Sequence, residues 1–273
     1  MEQITAKLSQ MKHALQVEIE SQPNDSSCGP TSLAAVYRYW NDPMDLQSLI
    51  ADIGELDGGG TLAVHLACHA LARGYRACIT TYNLHMFDPS WFRTQGDPSR
   101  GRPQCPDLAD KLRRQLESKL GRDNVDAPRL RAATERYLEF LELGGQVQMR
   151  PLEEDWIADT LTAGIPILCG LSATYLYQES RERYQERDRQ GRSSVPDDVA
   201  GDPTGHFVVL HGCDRQAGTV LIADPQHPNP YAPTNKYAAP LSRVTAAILL
   251  GIVTYDANLL TLEPGLGNKG IHQ

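Results

Sequence analysis

Two periodicities alternate along the chain, and together they predict a mixed helix and strand fold. Residues 15–20, Leu-Gln-Val-Glu-Ile-Glu, alternate apolar and polar as a half-buried strand does. Apolar positions at helical spacing then predict a helix from Cys28 to about residue 40, stopped by Asn41-Asp42-Pro43. Further helices are expected over 45–53 and 62–72, the second with Thr61 as its N-cap and Gly74 as its stop, followed by a strand over 75–82. An aromatic and proline-rich stretch, 84–106, leads to two strongly polar segments, 107–120 and 128–143, whose apolar residues recur at helical spacing.

Beyond residue 145 the strand signal dominates. A short strand over 147–150 and a helix over 153–163 precede the apolar run 165–171, which reads as a buried strand. The segment 175–199 carries a dense run of mixed charge, suited to an exposed helix, a solvated face or a surface loop. Residues 205–212 and 219–223 form two apolar runs separated by a turn, which predicts a hairpin. A proline-rich irregular stretch, 226–239, is followed by an expected helix over 241–247, a strand over 248–255 and a frayed tail over 264–273. Residues 1–14 read as a short helix or an extension.

The chemistry concentrates at three of these boundaries. Cys28, in Gln22-Pro-Asn-Asp-Ser-Ser-Cys-Gly-Pro-Thr-Ser32, stands in the turn that opens a helix, where the macrodipole and the free N–H groups of the first turn favour the nucleophilic thiolate. Pro30 suits a first turn, and Gly29 allows close approach over the sulfur. Gln22 is placed to donate its side-chain amide to an oxyanion. His206 begins one strand of the hairpin and Asp224 follows the end of the other, so antiparallel pairing brings both to one edge. Taken singly, each has a plainer explanation: a buried small cysteine, a core or capping histidine, a turn-initiating aspartate. His211 lies on a different face of its strand and reads as structural.

The order Gln22, Cys28 in Cys-Gly-Pro-Thr-Ser, His206 in Gly-His-Phe-Val-Val-Leu and Asp224 in Ala-Asp-Pro resembles that of papain-like cysteine peptidases. It is most similar to the branch containing bacteriocin-leader (double-glycine) peptidase domains and their bacterial relatives. The resemblance covers the first forty residues and the segment 205–225. It implies an α+β fold with a helical half carrying the nucleophile over 1–82 and an antiparallel sheet half carrying His206 and Asp224 over 146–263. It also implies a cysteine nucleophile, a histidine base, an aspartate orienter and a glutamine at the oxyanion, with no cofactor and with a peptide or protein as substrate. The segment 83–145 falls outside it as a helical insertion, either a lid beside the cleft or a brace for the core. Papain-fold acyltransferases of the transglutaminase type use the same apparatus, and a catalytically silent peptide-binding protein is a further alternative.

Composition narrows the setting. The 273 residues are enough for one large domain or two modest ones. A net charge of -8 argues against nucleic acid as partner. The N-terminus has no secretory pattern and no apolar run reaches the roughly 20 residues of a membrane span, so a reducing cytoplasm is expected. Cys68, Cys78, Cys169 and Cys213 are expected to be buried free thiols. His65, Cys68 and His69 have a spacing that can hold a metal on one helix face, but their apolar neighbours favour packing, and no metal is assigned. Residues 57–60 lack the lysine of a phosphate loop. Tyr175 and Tyr177 line the cleft or belong to the core.

Overall fold

A computed structural model describes residues 12–55, 60–92, 105–123, 125–186, 193–254 and 256–265. The expectations for residues 1–11, for the loop 57–59 and for most of the tail lie outside the described residues. Ten strands and eight helices follow in order among them. They are β1 (Lys12–Ala14), α1 (Cys28–Tyr39), α2 (Leu46–Ile53), α3 (Ala63–Ala72), β2 (Tyr75–Thr81), α4 (Leu108–Lys119), α5 (Ala127–Glu142), β3 (Gln146–Gln148) and α6 (Glu154–Thr162). Then come β4 (Ile167–Ser172), α7 (Ala173–Tyr177), β5 (Glu182–Tyr184), β6 (Ser194–Pro196), β7 (Gly205–Asp214), β8 (Thr219–Ala223), β9 (Lys236–Pro240), α8 (Leu241–Leu250) and β10 (Asn258–Pro264).

One sheet runs β3-β2-β10-β4-β7-β8-β9, and β1 joins it on β7. Strand β4 covers the first part of β7, from Gly205 to Leu210, and β1 covers Gly212 to Asp214. All six residues of β4 and the run from His206 to Cys213 in β7 are buried, as central strands with helices packed over them require. Helices α1 and α6 pack on β7, α3 on β2, and α8 on β4.

Several expectations are corrected. The alternation of residues 15–20 does bury Leu15 and Val17 and expose Gln16, Glu18 and Glu20, yet the segment forms no ladder. The pair β2/β3 is parallel, so the sheet is not wholly antiparallel and its N-terminal part draws on the supposedly helical half. Parallel neighbours need a crossover, and the segment carrying α4 and α5 supplies it. These helices stack α4 on α5 on α3 and contribute Leu112, Leu130, Tyr137 and Phe140 to the common core.

The expected strand over 248–255 is instead the end of α8 and a 3-10 turn, Gly251–Thr254, with the true strand at β10. Thr61 does not cap α3; the buried carboxylate of Asp256, from the distant end of the chain, accepts from Ala63 N at 3.0 Å. Cys78 is half-buried, whereas Cys28, Cys68, Cys105, Cys169 and Cys213 are buried, and all six are free.

The described part of the charge run is not the exposed helix, one of the readings offered for it. It leaves α7 through Gln178, whose φ of 59° is left-handed, and becomes the antiparallel pair β5/β6; residues 187–192 lie outside the described residues. No helix among the described residues is long and apolar enough to cross a membrane.

Candidate active site

The β7/β8 pairing sets the geometry. Val209 faces Ala223, so Asp224, one residue past the strand, falls diagonally across from His206 near the start of β7. His206 Nε2 and Asp224 Oδ1 are 2.8 Å apart. Cys28 opens α1, which packs on β7 and is tied to it by Ser32 Oγ donating to the Phe207 carbonyl at 3.1 Å. With Nε2 committed to Asp224, Nδ1 is the ring nitrogen left for a further partner, and Cys28 lies close enough to raise the His206 pKa.

Gly29 has a different role from the one expected. A Cβ there would lie 2.5 Å from Thr61 Cγ2 and 3.3 Å from Phe207 Cδ2, so the missing side chain lets α1 close on its own scaffold beside Cys28.

Asp224 is 0% exposed and His206 7%, which makes their charges matter. Burial alone would strip the imidazolium of its proton, but the Asp224 carboxylate, the bond to it and the contact with Cys28 push the His206 pKa up to about 10. Burial likewise opposes ionisation of Asp224, yet His206 and further donors hold its carboxyl below the usual carboxylate range. Those donors fill both oxygens. Oδ1 also accepts from Gln226 N at 2.9 Å, and Oδ2 accepts from Tyr177 Oη at 2.8 Å and Tyr237 Oη at 2.7 Å.

Gln22 is brought to the same place by its backbone N–H, which donates to the Pro225 carbonyl at 2.8 Å. Its Nε2 donates to the Asn24 carbonyl at 3.0 Å, while its Oε1 is buried without a partner. One amide hydrogen is thus engaged locally.

A cavity of about 320 Å³ opens beside these groups, lined among others by Gln22, Asp25, Tyr177, Glu179, Glu182 and His206. That volume is at the lower end of small-ligand clefts. No described residue of the 105–145 segment lines it; its far wall comes from the β5/β6 pair. In its described part, the 83–145 segment braces the core.

Of the four residues singled out from the sequence, His206 and Asp224 bond directly, Gln22 lines the same cavity as His206, and Cys28 lies near the imidazole. Sequence reasoning missed Tyr237, Gln226 and the β5/β6 wall, and it left Tyr177 between cleft and core. Tyr237 sits in a proline-rich stretch with no periodicity to mark it, and the available signal was its closeness in sequence to Asp224. Tyr175, by contrast, is exposed and does not reach Asp224.

The other constellation separates into individual contacts. His69 Nδ1 meets Tyr37 Oη at 2.8 Å, His65 Nδ1 accepts from Leu62 N at 3.4 Å, and Cys68 Sγ points to the Arg136 carbonyl at 3.6 Å. Among the described residues no group of three or more His, Cys, Asp or Glu side chains is arranged to hold a metal. His211 sits at the bulge in β7 and bonds the Leu15 carbonyl through Nδ1 at 3.0 Å, away from the cavity.

No protein-family model matches the chain, and no curated protein does. Among solved structures, a chain from Bacillus anthracis provisionally described as a C39-like peptidase is similar, with 16% identity over 92% of this chain and 97% of that one. The TM-score is 0.39, too loose a superposition to decide either fold family or chemistry. What the chain has in its own right is a mixed α/β architecture in which Gln22 and His206 line one cavity, Asp224 bonds His206 from beneath it, and Cys28 lies beside the same imidazole.

Proposed function

We propose that this chain is a cysteine peptidase of the papain-like type, hydrolysing a peptide or isopeptide bond through an acyl-enzyme on Cys28. The observation that carries the reading is the buried pair in which Asp224 holds His206 Nε2 at 2.8 Å, with Cys28 close enough to act on the same imidazole. A histidine held with a raised pKa between a carboxylate and a thiol is suited to stabilise a thiolate–imidazolium pair.

In this scheme the Cys28 sulfur attacks the substrate carbonyl, and the oxyanion is met by the side-chain amide of Gln22 and the Cys28 backbone N–H. The C–N bond breaks as His206 gives its proton to the departing amine. His206 then takes a proton from water, hydroxide adds to the thioester, and the carboxylic acid leaves as the sulfur is released. Asp224 keeps the imidazole in the tautomer that presents Nδ1 to sulfur.

The test is alkylation of the native protein by iodoacetamide at pH 6, mapped by peptide mass, together with a fluorogenic peptide library assayed on wild type and Cys28→Ala. Selective labelling of Cys28 that disappears in His206→Gln, and cleavage that disappears in Cys28→Ala, are the expected results. Labelling of Cys28 no faster than that of the denatured chain, with no peptide cleaved, overturns the reading.

A further inference from the structure

A buried carboxylate has room for about four hydrogen bonds, and Asp224 has all four. Two come from the elements that place it: His206 on β7 and the Gln226 N–H two residues along. The other two, both on Oδ2, come from tyrosines of unrelated segments. Tyr237 is fixed in β9, opposite Ile222 of β8, with the Tyr231 ring 5.0 Å from its own. Tyr177 ends the short helix α7, its ring lies 5.9 Å from the His206 ring, and it also walls the cavity.

We infer that Tyr177 and Tyr237 are positioning residues that act through Asp224 to set the basicity of His206, and that Tyr177 carries the state of the cavity wall to the Asp224–His206 pair. The inference rests on the role proposed for His206, and its physical content is separable from turnover. Two phenol donors on Oδ2 draw negative charge away from Oδ1. They also stop the carboxylate from rotating, since each oxygen is held from two directions. Burial and the neighbouring Asp224 charge push both phenols well above their ordinary range, so they remain protonated donors at every pH at which the protein works. Removing the donors leaves more charge on Oδ1, strengthens its hold on the imidazolium, and moves the His206 titration upward.

The experiment follows the His206 imidazole by NMR in full-length protein carrying 13C-labelled histidine, its signal assigned by loss in His206→Gln. Tyr177→Phe and Tyr237→Phe are expected to raise its titration midpoint by about half a pH unit each, and the double variant by about one. In an Asp224→Asn background the same substitutions are expected to leave the midpoint where that variant alone puts it. A midpoint unchanged or lowered in both single variants, or one that moves equally without Asp224, overturns the proposal. Thermal unfolding of each single variant checks the fold, and either one alone suffices if the double does not fold. The peptidase reading fails on a separate result: Cys28 alkylation by iodoacetamide that is indifferent to His206→Gln. The titration distinguishes the two, because it requires no substrate.

Discussion

Asp256 is the most exacting place to test the energetics of this fold, because its carboxyl is buried in the core. Oδ2 accepts from Ala63 N at 3.0 Å and so caps α3, and Oδ1 accepts from Asn258 Nδ2 at 2.5 Å. Burial outweighs both bonds and the more distant Arg129, and raises the pKa from 3.8 to about 7.

A carboxyl whose pKa is higher in the folded than in the unfolded chain binds its proton more tightly when folded. The contribution of Asp256 is therefore full below about pH 4, falls as pH rises toward 7, and levels off above it. At roughly 1.36 kcal/mol per pH unit, the gap from 3.8 to about 7 corresponds to about 4 kcal/mol, of which about 3 kcal/mol falls between pH 5 and pH 8.

Asp256→Asn removes the titration while keeping an oxygen for Ala63 N, and the Asn258 Oδ1, unpartnered in the wild type, can accept from the new amide. Urea unfolding at pH 5 and pH 8 should show wild type losing on the order of 3 kcal/mol more than the variant across that interval. All other titrating groups are shared, so they cancel in the comparison. Parallel losses in the two proteins would refute the reasoning.

Three further outcomes follow from the site and its scaffold. Asp224→Asn removes what keeps His206 charged while leaving it buried, so the imidazole midpoint should drop from about 10 to below 6.5, read by the same NMR titration, and peptide cleavage should fall by at least ~100-fold. A midpoint still above 8 would show that Asp224 is not the cause. Gly29→Ala forces a methyl group against Thr61 and Phe207 and should cost about 1–3 kcal/mol, seen as a melting temperature several degrees lower; unchanged melting would mean the contact relaxes freely. Burial depresses the His65 pKa from 6.5 to about 4, so its neutral ring contributes stability above 6.5 that is lost as pH falls toward 4. His65→Gln should flatten that acid limb in a series of melts, and an identical limb in both proteins would count against it.

What the sequence revealed and what it concealed divide along a physical line. The helix at Cys28 and the β7/β8 hairpin are local: periodicity within a dozen residues, a helix-opening Gly-Pro and a short turn were enough to place Cys28, His206 and Asp224 at element ends. Their meeting was legible because antiparallel pairing across a short turn leaves little freedom of register. The features that escaped are those decided by distant partners. Asp256 displaces Thr61 as the cap of α3 across nearly two hundred residues. The apolar run after Leu241 had no local reason to stay helical to Leu250 rather than turn extended. The charge run around Glu182 carried no strand signal, because its pairing with Ser194–Pro196 is made with residues a dozen positions further on. Tyr237 was hidden for the same reason: a lone tyrosine in an irregular segment acquires meaning only when a buried carboxylate lies within reach.

The position of β10 in the sheet has a consequence for biosynthesis. It is flanked by β2 on one side and β4 on the other, so it joins a strand from the first third of the chain to the strand that neighbours His206's own. Until Asn258 to Pro264 have left the ribosome, β2 and β4 have no bridge, and Asp256 has not reached the start of α3 beside Gly29. A nascent polypeptide that already contains Cys28, His206 and Asp224 thus still lacks the strand that closes the scaffold around them until residues 258–264 are added.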